Sequence, residues 1–262
     1  MIRTAILVDG GFYRRRAKKV WGPKSPKERA DELFQYCHRH LAKDQDKKKS
    51  FQSLYRIFYY DCEPYDQNVY HPLLKKDIFY AKTDLYKWMH SFLDELKKKR
   101  KVALRLGFLS APSIHFDLDN KKLKKLLRKE ISVDALEEKD FTLSIIQKGV
   151  DMKIGVDIAS LAYKRQVDRI ILISDDSDFV PAAKLARREG IDFILDPMWT
   201  HVNPKLYEHI DGLRSCFPNP VVIKEDDASV EKAAAAVNDH CDSTERLDEV
   251  DPVMEEDSRE EE

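Results

Sequence analysis

Residues 170–179 read Ile-Ile-Leu-Ile-Ser-Asp-Asp-Ser-Asp-Phe, and this stretch constrains the fold more than any other part of the chain. A continuous aliphatic run bounded by polar residues is typical of a strand buried in a parallel sheet. Residues 179–188 then predict a helix, with Pro181 in its first turn and Gly190 just beyond its end. Three carboxylates therefore follow the carboxyl end of a strand, which is where open α/β sheets bind ligands.

The rest of the chain alternates short apolar runs with amphipathic stretches. The predicted strands cover residues 4–8, 54–60, 102–108, 141–147, 170–173 and 192–195. The predicted helices cover residues 12–20, 26–41, 81–99, 120–131, 152–164, 179–188 and 203–213. This alternation favours an α/β fold with a mainly parallel sheet flanked by helices and joined by right-handed crossovers. We expect one domain over 1–215, with a basic insertion at about 111–140.

Charge is distributed unevenly along the chain. Residues 224–262 hold 4 Lys or Arg and 16 Asp or Glu, a balance of −12, whereas residues 1–223 carry +11. The acidic segment has almost no aromatic residues, which predicts a mostly disordered tail. A basic body is suited to a polyanion such as nucleic acid, although it is equally typical of a merely soluble surface. We expect the tail to compete with RNA for this body, so that truncation after Ile223 tightens RNA binding at low salt.

Several classes of protein are disfavoured by the sequence. The four cysteines have no paired spacing, which argues against a disulfide framework or a zinc knuckle. Residues 37–40 read Cys-His-Arg-His, but consecutive helical side chains point about 100° apart, so a zinc site there is disfavoured. No signal peptide is visible, and no stretch approaches the roughly 20 apolar residues of a membrane span. We therefore expect a cytoplasmic protein that does not contact a membrane.

Carboxylates recur at the predicted strand ends and strand-to-helix turns. They are Asp9, Asp151 with Asp157, and Asp176 with Asp178. Because the carboxyl ends of parallel strands lie at one edge of a sheet, we expect these side chains to converge. Asp178 could instead cap the following helix. Carboxylates without nearby His or Cys select Mg²⁺ or Mn²⁺, and such ions suit phosphodiester hydrolysis.

Three segments together resemble an NYN domain, a branch of the PIN-like nuclease superfamily, and within it the LabA-like bacterial group. They are residues 8–12 (Val-Asp-Gly-Gly-Phe), residues 148–151 (Lys-Gly-Val-Asp) with Asp157, and residues 174–179 (Ser-Asp-Asp-Ser-Asp-Phe). The resemblance spans about residues 3–215. This chain departs from the family pattern at Asp175, where a glycine is usual. It also has Phe12 and Tyr13 where many relatives carry Asn soon after the first Asp.

The resemblance implies a Mg²⁺- or Mn²⁺-dependent ribonuclease acting on single-stranded RNA. Asp9, Asp151, Asp157, Asp176 and Asp178 would hold the metal and orient water. The alternative is a regulatory module that binds RNA in the same pocket without hydrolysis, and a homo-oligomer is compatible with either function. A phosphatase is ranked last, because the haloacid-dehalogenase pattern Asp-x-Asp-x-Thr is absent after Asp9.

Basic residues follow Asp9 closely. We predict that Arg14, Arg15, Arg16 and Lys18 contact RNA phosphates, with a solvated helix face as the alternative. The lysines at 121–129 are interpreted as a solvated face. Asp61 and Asp196 also end strands, but they are left outside the site because Asp commonly forms turns near proline.

Overall fold

The computed structural model describes residues 1–41, 52–109, 114–145 and 147–219. The strands are β1 (Ile2–Asp9), β2 (Gln52–Cys62), β3 (Asn68–His71), β4 (Lys76–Phe79), β5 (Val102–Leu109), β6 (His115–Leu118), β7 (Phe141–Ser144), β8 (Gln147–Lys148), β9 (Arg169–Ile173), β10 (Asp192–Asp196) and β11 (Gly212–Leu213). The helices are α1 (Gly10–Trp21), α2 (Pro26–Arg39), α3 (Asp84–Lys97), α4 (Asn120–Leu127), α5 (Val150–Tyr163), α6 (Val180–Arg188) and α7 (Pro204–Tyr207). The predicted acidic tail, 224–262, lies outside the described residues.

A seven-stranded sheet forms the centre of the domain, in the order β11-β10-β9-β1-β2-β5-β8. Six of these strands are parallel, and only the short edge strand β8 pairs antiparallel, with β5. The predicted α/β class with a mainly parallel sheet is therefore confirmed. Because β1 and β9 are central and parallel, the residues that follow them emerge at the same edge of the sheet.

The sheet is buried on both faces, as a parallel sheet requires. Alternate residues of β1 divide between two cores: Ala5 and Leu7 pack towards α5 and α6, whereas Ile6 and Val8 pack towards α1, α2 and α3. All four are fully buried. This double burial explains why the strands read as continuous apolar runs rather than as an alternating pattern.

Three short elements differ from the sequence prediction. The run 141–147, predicted as one strand, is divided between β7, which pairs with β6 in a separate two-stranded sheet, and β8 in the central sheet. Helix α7 is only four residues long, and Gly212–Leu213, predicted as its end, forms strand β11. The β3–β4 hairpin was not predicted at all.

No helix within the described ranges is long and apolar enough to cross a bilayer.

Candidate active site

Asp9 lies at the carboxyl end of β1 and also begins α1. Its Oδ1 accepts a hydrogen bond from the backbone N–H of Phe12 at 3.0 Å, the bond of a helix N-cap. Gly10 follows because nothing larger fits: a Cβ atom there would lie 2.5 Å from the carbonyl oxygen of Tyr60 and 2.6 Å from Oδ2 of Asp61. The close approach of α1 to β2 thus fixes the position of Asp9 at the sheet edge.

The turn after β9 is connected to Asp9 through a single hydroxyl group. Ser174 is fully buried, and its Oγ donates to Oδ2 of Asp9 at 3.3 Å while accepting from the backbone N–H of Asp176 at 3.3 Å. Oδ1 of Asp176 in turn accepts from the backbone N–H of Asp178 at 2.9 Å. The alternative role of Asp178 as a helix cap is not the one observed, because Asp176 caps this turn and α6 has no side-chain cap. Ser174 belongs to the motif but was not predicted as a site residue.

Asp151 reaches the same region from the first turn of α5. Two glycines position it: Gly149 has a φ of +80°, and a Cβ on Gly107 of β5 would lie 2.6 Å from the carbonyl oxygen of Lys148. Glycine is needed at both positions, for the left-handed backbone and for the close contact. Helix α5 consequently begins directly against the carboxyl end of β5.

The four carboxylates influence one another electrostatically. Burial, with a smaller contribution from the neighbouring Asp151 carboxylate, raises the pKa of Asp9 to about 6 against the opposing effects of the Phe12 N–H, Arg15 and the Ser174 hydroxyl. The pKa of Asp151 is also raised, by burial first and then by Asp176 and Asp178. Carboxylates whose pKa is raised by burial and by neighbouring acids are frequent at functional sites.

Asp157 is differently placed. It lies further along α5, where its Oδ2 accepts hydrogen bonds from Tyr60 Oη at 2.8 Å and from Arg105 Nε at 2.9 Å. Its carboxylate is therefore already neutralised within the chain. The structure brings Asp9, Asp151, Asp176 and Asp178 together electrostatically and leaves Asp157 in an ion pair of its own.

The basic residues of α1 also fall into two groups, those bonded within the chain and those left exposed. Arg14 forms a two-pronged ion pair with Asp61, and Arg16 Nε donates to the carbonyl oxygen of Met198 at 2.7 Å. Arg15 is exposed and lies close enough to Asp9 to lower its pKa, and Lys18 is exposed as well. Arg15 and Lys18 are the two predicted RNA contacts that the fold leaves available.

These carboxylates fit a divalent cation only if water molecules or substrate phosphates complete its coordination. Among residues that the structure describes, no group of three or more His, Cys, Asp or Glu side chains is arranged to hold a metal ion unaided. Mg²⁺ commonly binds one or two carboxylates and completes its octahedral shell with water and substrate phosphates. Asp9 and Asp151, which form no ion pair with a basic side chain in the described segments, would supply that minimal set.

Comparison with known proteins bears on this edge of the sheet. The sequence model of the NYN domain matches residues 67–201, which is just over half of the chain. The chain belongs to the NYN domain family. NYN domains form part of the PIN-like nuclease superfamily, whose members generally use divalent metals. The NYN match includes Asp151, Asp176 and Asp178 but begins after β1, so Asp9 lies outside it.

Two further comparisons add less to the NYN assignment. No curated protein matched the sequence. A crystal structure of VPA0982, a protein of unknown function from Vibrio parahaemolyticus RIMD 2210633, aligns with 13% identity over 81% of this chain and 91% of that chain, with a TM-score of 0.39.

Proposed function

We propose that the chain is a divalent-metal-dependent ribonuclease, the function predicted from the sequence. The observation that supports it best is a group of four carboxylates at one edge of the sheet inside an NYN domain, none of which forms an ion pair with a basic side chain at any described position. A cation would offset the burial and the neighbouring negative charge that raise the pKa values of Asp9 and Asp151. Asp9, Asp151, Asp176 and Asp178 are the residues we assign to holding it.

The residues of the chain have distinct parts in the proposed reaction. A bound Mg²⁺ or Mn²⁺ would supply a more acidic water molecule and a counter-charge for the phosphodiester. Ser174 links the Asp9 carboxylate to the backbone of Asp176, and the Phe12 N–H at the start of α1 holds the Asp9 carboxylate in one orientation. Exposed Arg15 is placed to contact a phosphate that approaches Asp9. Asp157 acts indirectly, by fixing Tyr60 and Arg105 against α5.

The test is cleavage of labelled single-stranded RNA and DNA with and without Mn²⁺. We expect Asp9→Asn with Asp176→Asn to lower the rate of RNA cleavage by about a hundredfold or more, because metal ligands are removed while both side chains keep their size. The matched control is Asp84→Asn with Asp134→Asn, which removes two exposed carboxylates that lie outside the cluster. Wild-type cleavage by the Asp9/Asp176 variant would disprove the assignment.

Metal binding can be measured independently of turnover. At a Mn²⁺ concentration of about 100 times its Kd, binding to the folded state adds about 2.7 kcal/mol to the free energy of unfolding. We expect this stabilisation in the wild type and in the control variant, and not in the Asp9/Asp176 variant.

A second candidate function is an RNA-binding module without hydrolysis. It is favoured by the engagement of Asp157 with Arg105 and by the absence of a preformed three-ligand group among the described side chains. Salt-dependent RNA binding by the wild type, combined with no cleavage in Mn²⁺ or Mg²⁺, would select this function over the first.

A further inference from the structure

An accessory layer extends from the edge of the sheet that carries the carboxylates. The chain leaves β5 at Leu109, forms β6, α4 and β7, and returns through β8, which leads directly into α5 and Asp151. The β3–β4 hairpin leaves the same edge after β2 and packs on this layer, since the His71 ring lies 4.3 Å from that of Phe116 and 5.3 Å from that of Phe141, centroid to centroid. Helix α4 therefore belongs to a layer built on the acidic edge.

Helix α4 and the turn after it are strongly cationic. Residues 120–129 contain no acid and six basic residues: Lys121, Lys122, Lys124, Lys125, Arg128 and Lys129. Lys122 pairs with Asp140 at 3.2 Å and Arg128 approaches Glu130 at 3.9 Å. Lys121, Lys124, Lys125 and Lys129 form no ion pair with any carboxylate in the described part of the chain.

The lysines of α3 show the contrasting arrangement, in which each cation has a carboxylate close by. Lys97 pairs with Asp94 at 2.8 Å and Lys98 with Glu95 at 2.7 Å, each one turn away on the same helix, and Lys87 approaches Asp84 at 3.8 Å. The surface of α3 thus balances its own charge, whereas that of α4 does not.

Packing does not explain the composition of α4. None of its residues is buried, and Leu123 and Leu127 are 39% and 74% exposed. The helix is held by its N-cap, in which Asp119 Oδ1 accepts from the N–H groups of Lys121 and Lys122 at 2.9 and 3.1 Å. Lysines three or four residues apart repel each other and destabilise a helix, so an external anion would stabilise α4.

We propose that α4 binds the phosphate backbone of single-stranded RNA and holds the strand beside the carboxylate cluster. This inference rests on the proposed function, because it assigns a second contact surface to the same substrate. The charge favours RNA, since the unpaired lysines fit a chain of regularly repeated phosphates. An anionic membrane is less suitable, because an eight-residue helix about 12 Å long offers only two strongly exposed leucines.

The test compares two triple variants with the same change in charge. Lys121→Ala/Lys124→Ala/Lys125→Ala removes unpaired lysines of α4, and Lys87→Ala/Lys97→Ala/Lys98→Ala removes paired lysines of α3. Alanine keeps both helices favourable, and circular dichroism checks the fold. Lys129 is left unchanged because its φ of +61° would strain alanine.

The measurement is the Kd for a single-stranded RNA as a function of salt. Each lost phosphate contact lowers the slope of log K against log salt by about 0.7, so the α4 variant should lose about 2 and bind at least about tenfold more weakly at low salt. The α3 variant should bind as the wild type does. The α4 variant should also raise KM for cleavage and leave kcat unchanged, because the reacting groups are untouched.

The failure of this inference can be distinguished from failure of the proposed function. If the wild type cleaves RNA and the α4 variant binds and cleaves like the α3 variant, the role of α4 is disproved and the nuclease stands. If the wild type neither binds nor cleaves RNA at any salt concentration, both proposals fail. If vesicles of anionic phospholipid bind the wild type but not the α4 variant, and RNA binding is unaffected, α4 is a lipid-binding helix and the inference is wrong.

Discussion

Two sets of carboxylates lie at the same edge of the sheet, and the chain treats them in opposite ways. Asp61, at the end of β2, is 2% exposed and receives two hydrogen bonds from Arg14 and one from Tyr59. Asp196, at the end of β10, is fully buried and is bound by His40, Tyr36, Ser215 and the N–H of Met198. Asp9, between them in the sheet, has Arg15 nearby but no cation bonded to its carboxylate, and its pKa is raised.

The difference separates acids that stabilise the fold from acids available to a ligand. A buried ion becomes tolerable only when opposite charge and hydrogen bonds replace its hydration. The chain provides these for Asp61 and Asp196. It gives Asp9 two hydrogen bonds but no paired cation, at a cost in stability, which is the pattern expected where a cation binds.

The largest expected effect on stability comes from removing the counter-charge of a buried acid. Arg14→Met leaves Asp61 buried without its counter-charge, so we expect the free energy of unfolding to fall by about 3–5 kcal/mol. Arg15→Met on the same helix is the control, and it should change stability by less than about 0.5 kcal/mol because Arg15 is exposed. Urea unfolding measures both. Equal effects would show that the Arg14–Asp61 pair is not a stabilising element.

The second prediction concerns the pH dependence of the other neutralised acid. Burial lowers the pKa of His40, but its bond to Asp196 outweighs this and raises the pKa to about 9, above the ordinary 6.5. A group with a raised folded pKa stabilises fully below its unfolded pKa, so about 3 kcal/mol should be present below pH 6.5 and lost as pH rises through 9. His40→Gln should remove this fall. An unchanged pH profile in the variant would exclude the His40–Asp196 pair as its source.

The third prediction has the smallest effect, and here the substitution raises the free energy of unfolding instead of lowering it. The folded pKa of Asp9 is about 6 and its ordinary value is 3.8, so the folded state loses stability as pH rises from about 4 to 6. In metal-free buffer at pH 7.5, Asp9→Asn should therefore raise the free energy of unfolding by roughly 2 kcal/mol after allowance for solvent screening. Asn also caps helices well, so α1 is retained.

The gain from Asp9→Asn should vanish at pH 4, where the wild-type carboxyl is protonated. Denaturant unfolding at the two pH values measures it, with Asp84→Asn as the exposed control. A loss of stability at pH 7.5 would mean that Asp9 is a structural acid of the same kind as Asp61.

Most of the central sheet could be predicted because its strands are buried on both faces and leave long aliphatic runs. The run at 141–147 was misassigned because apolar composition does not reveal where a chain passes from one sheet to another. Residues 203–213 were assigned to a helix because their pattern was compatible with one, yet Gly212 and Leu213 pair with β10. Pairing between distant segments decides such short elements.

The sequence predicted the acidic residues of the site, but not the residues to which they bond. The motifs indicated Asp9, Asp151, Asp176 and Asp178, since strand ends converge in a parallel sheet. Nothing local shows that Asp157 meets Arg105, which is 52 residues away in the sequence. The run Arg14–Arg16 could not act as one surface, because successive helical side chains point about 100° apart. That Asp157 holds the metal, and that Arg14 and Arg16 contact RNA, stay predictions.

Gly10 gives the acidic edge an unusual sensitivity. The gap between the first helix and the second strand admits a hydrogen atom and nothing larger, since a methyl group would overlap both the Tyr60 carbonyl and the Asp61 carboxylate. This close contact fixes the position of Asp9, which has no paired cation, relative to Asp61, which is paired with Arg14. A chain that acquired alanine at this position would have to move the start of α1 away from β2, and so would shift Asp9 relative to Asp61 while keeping every charged residue.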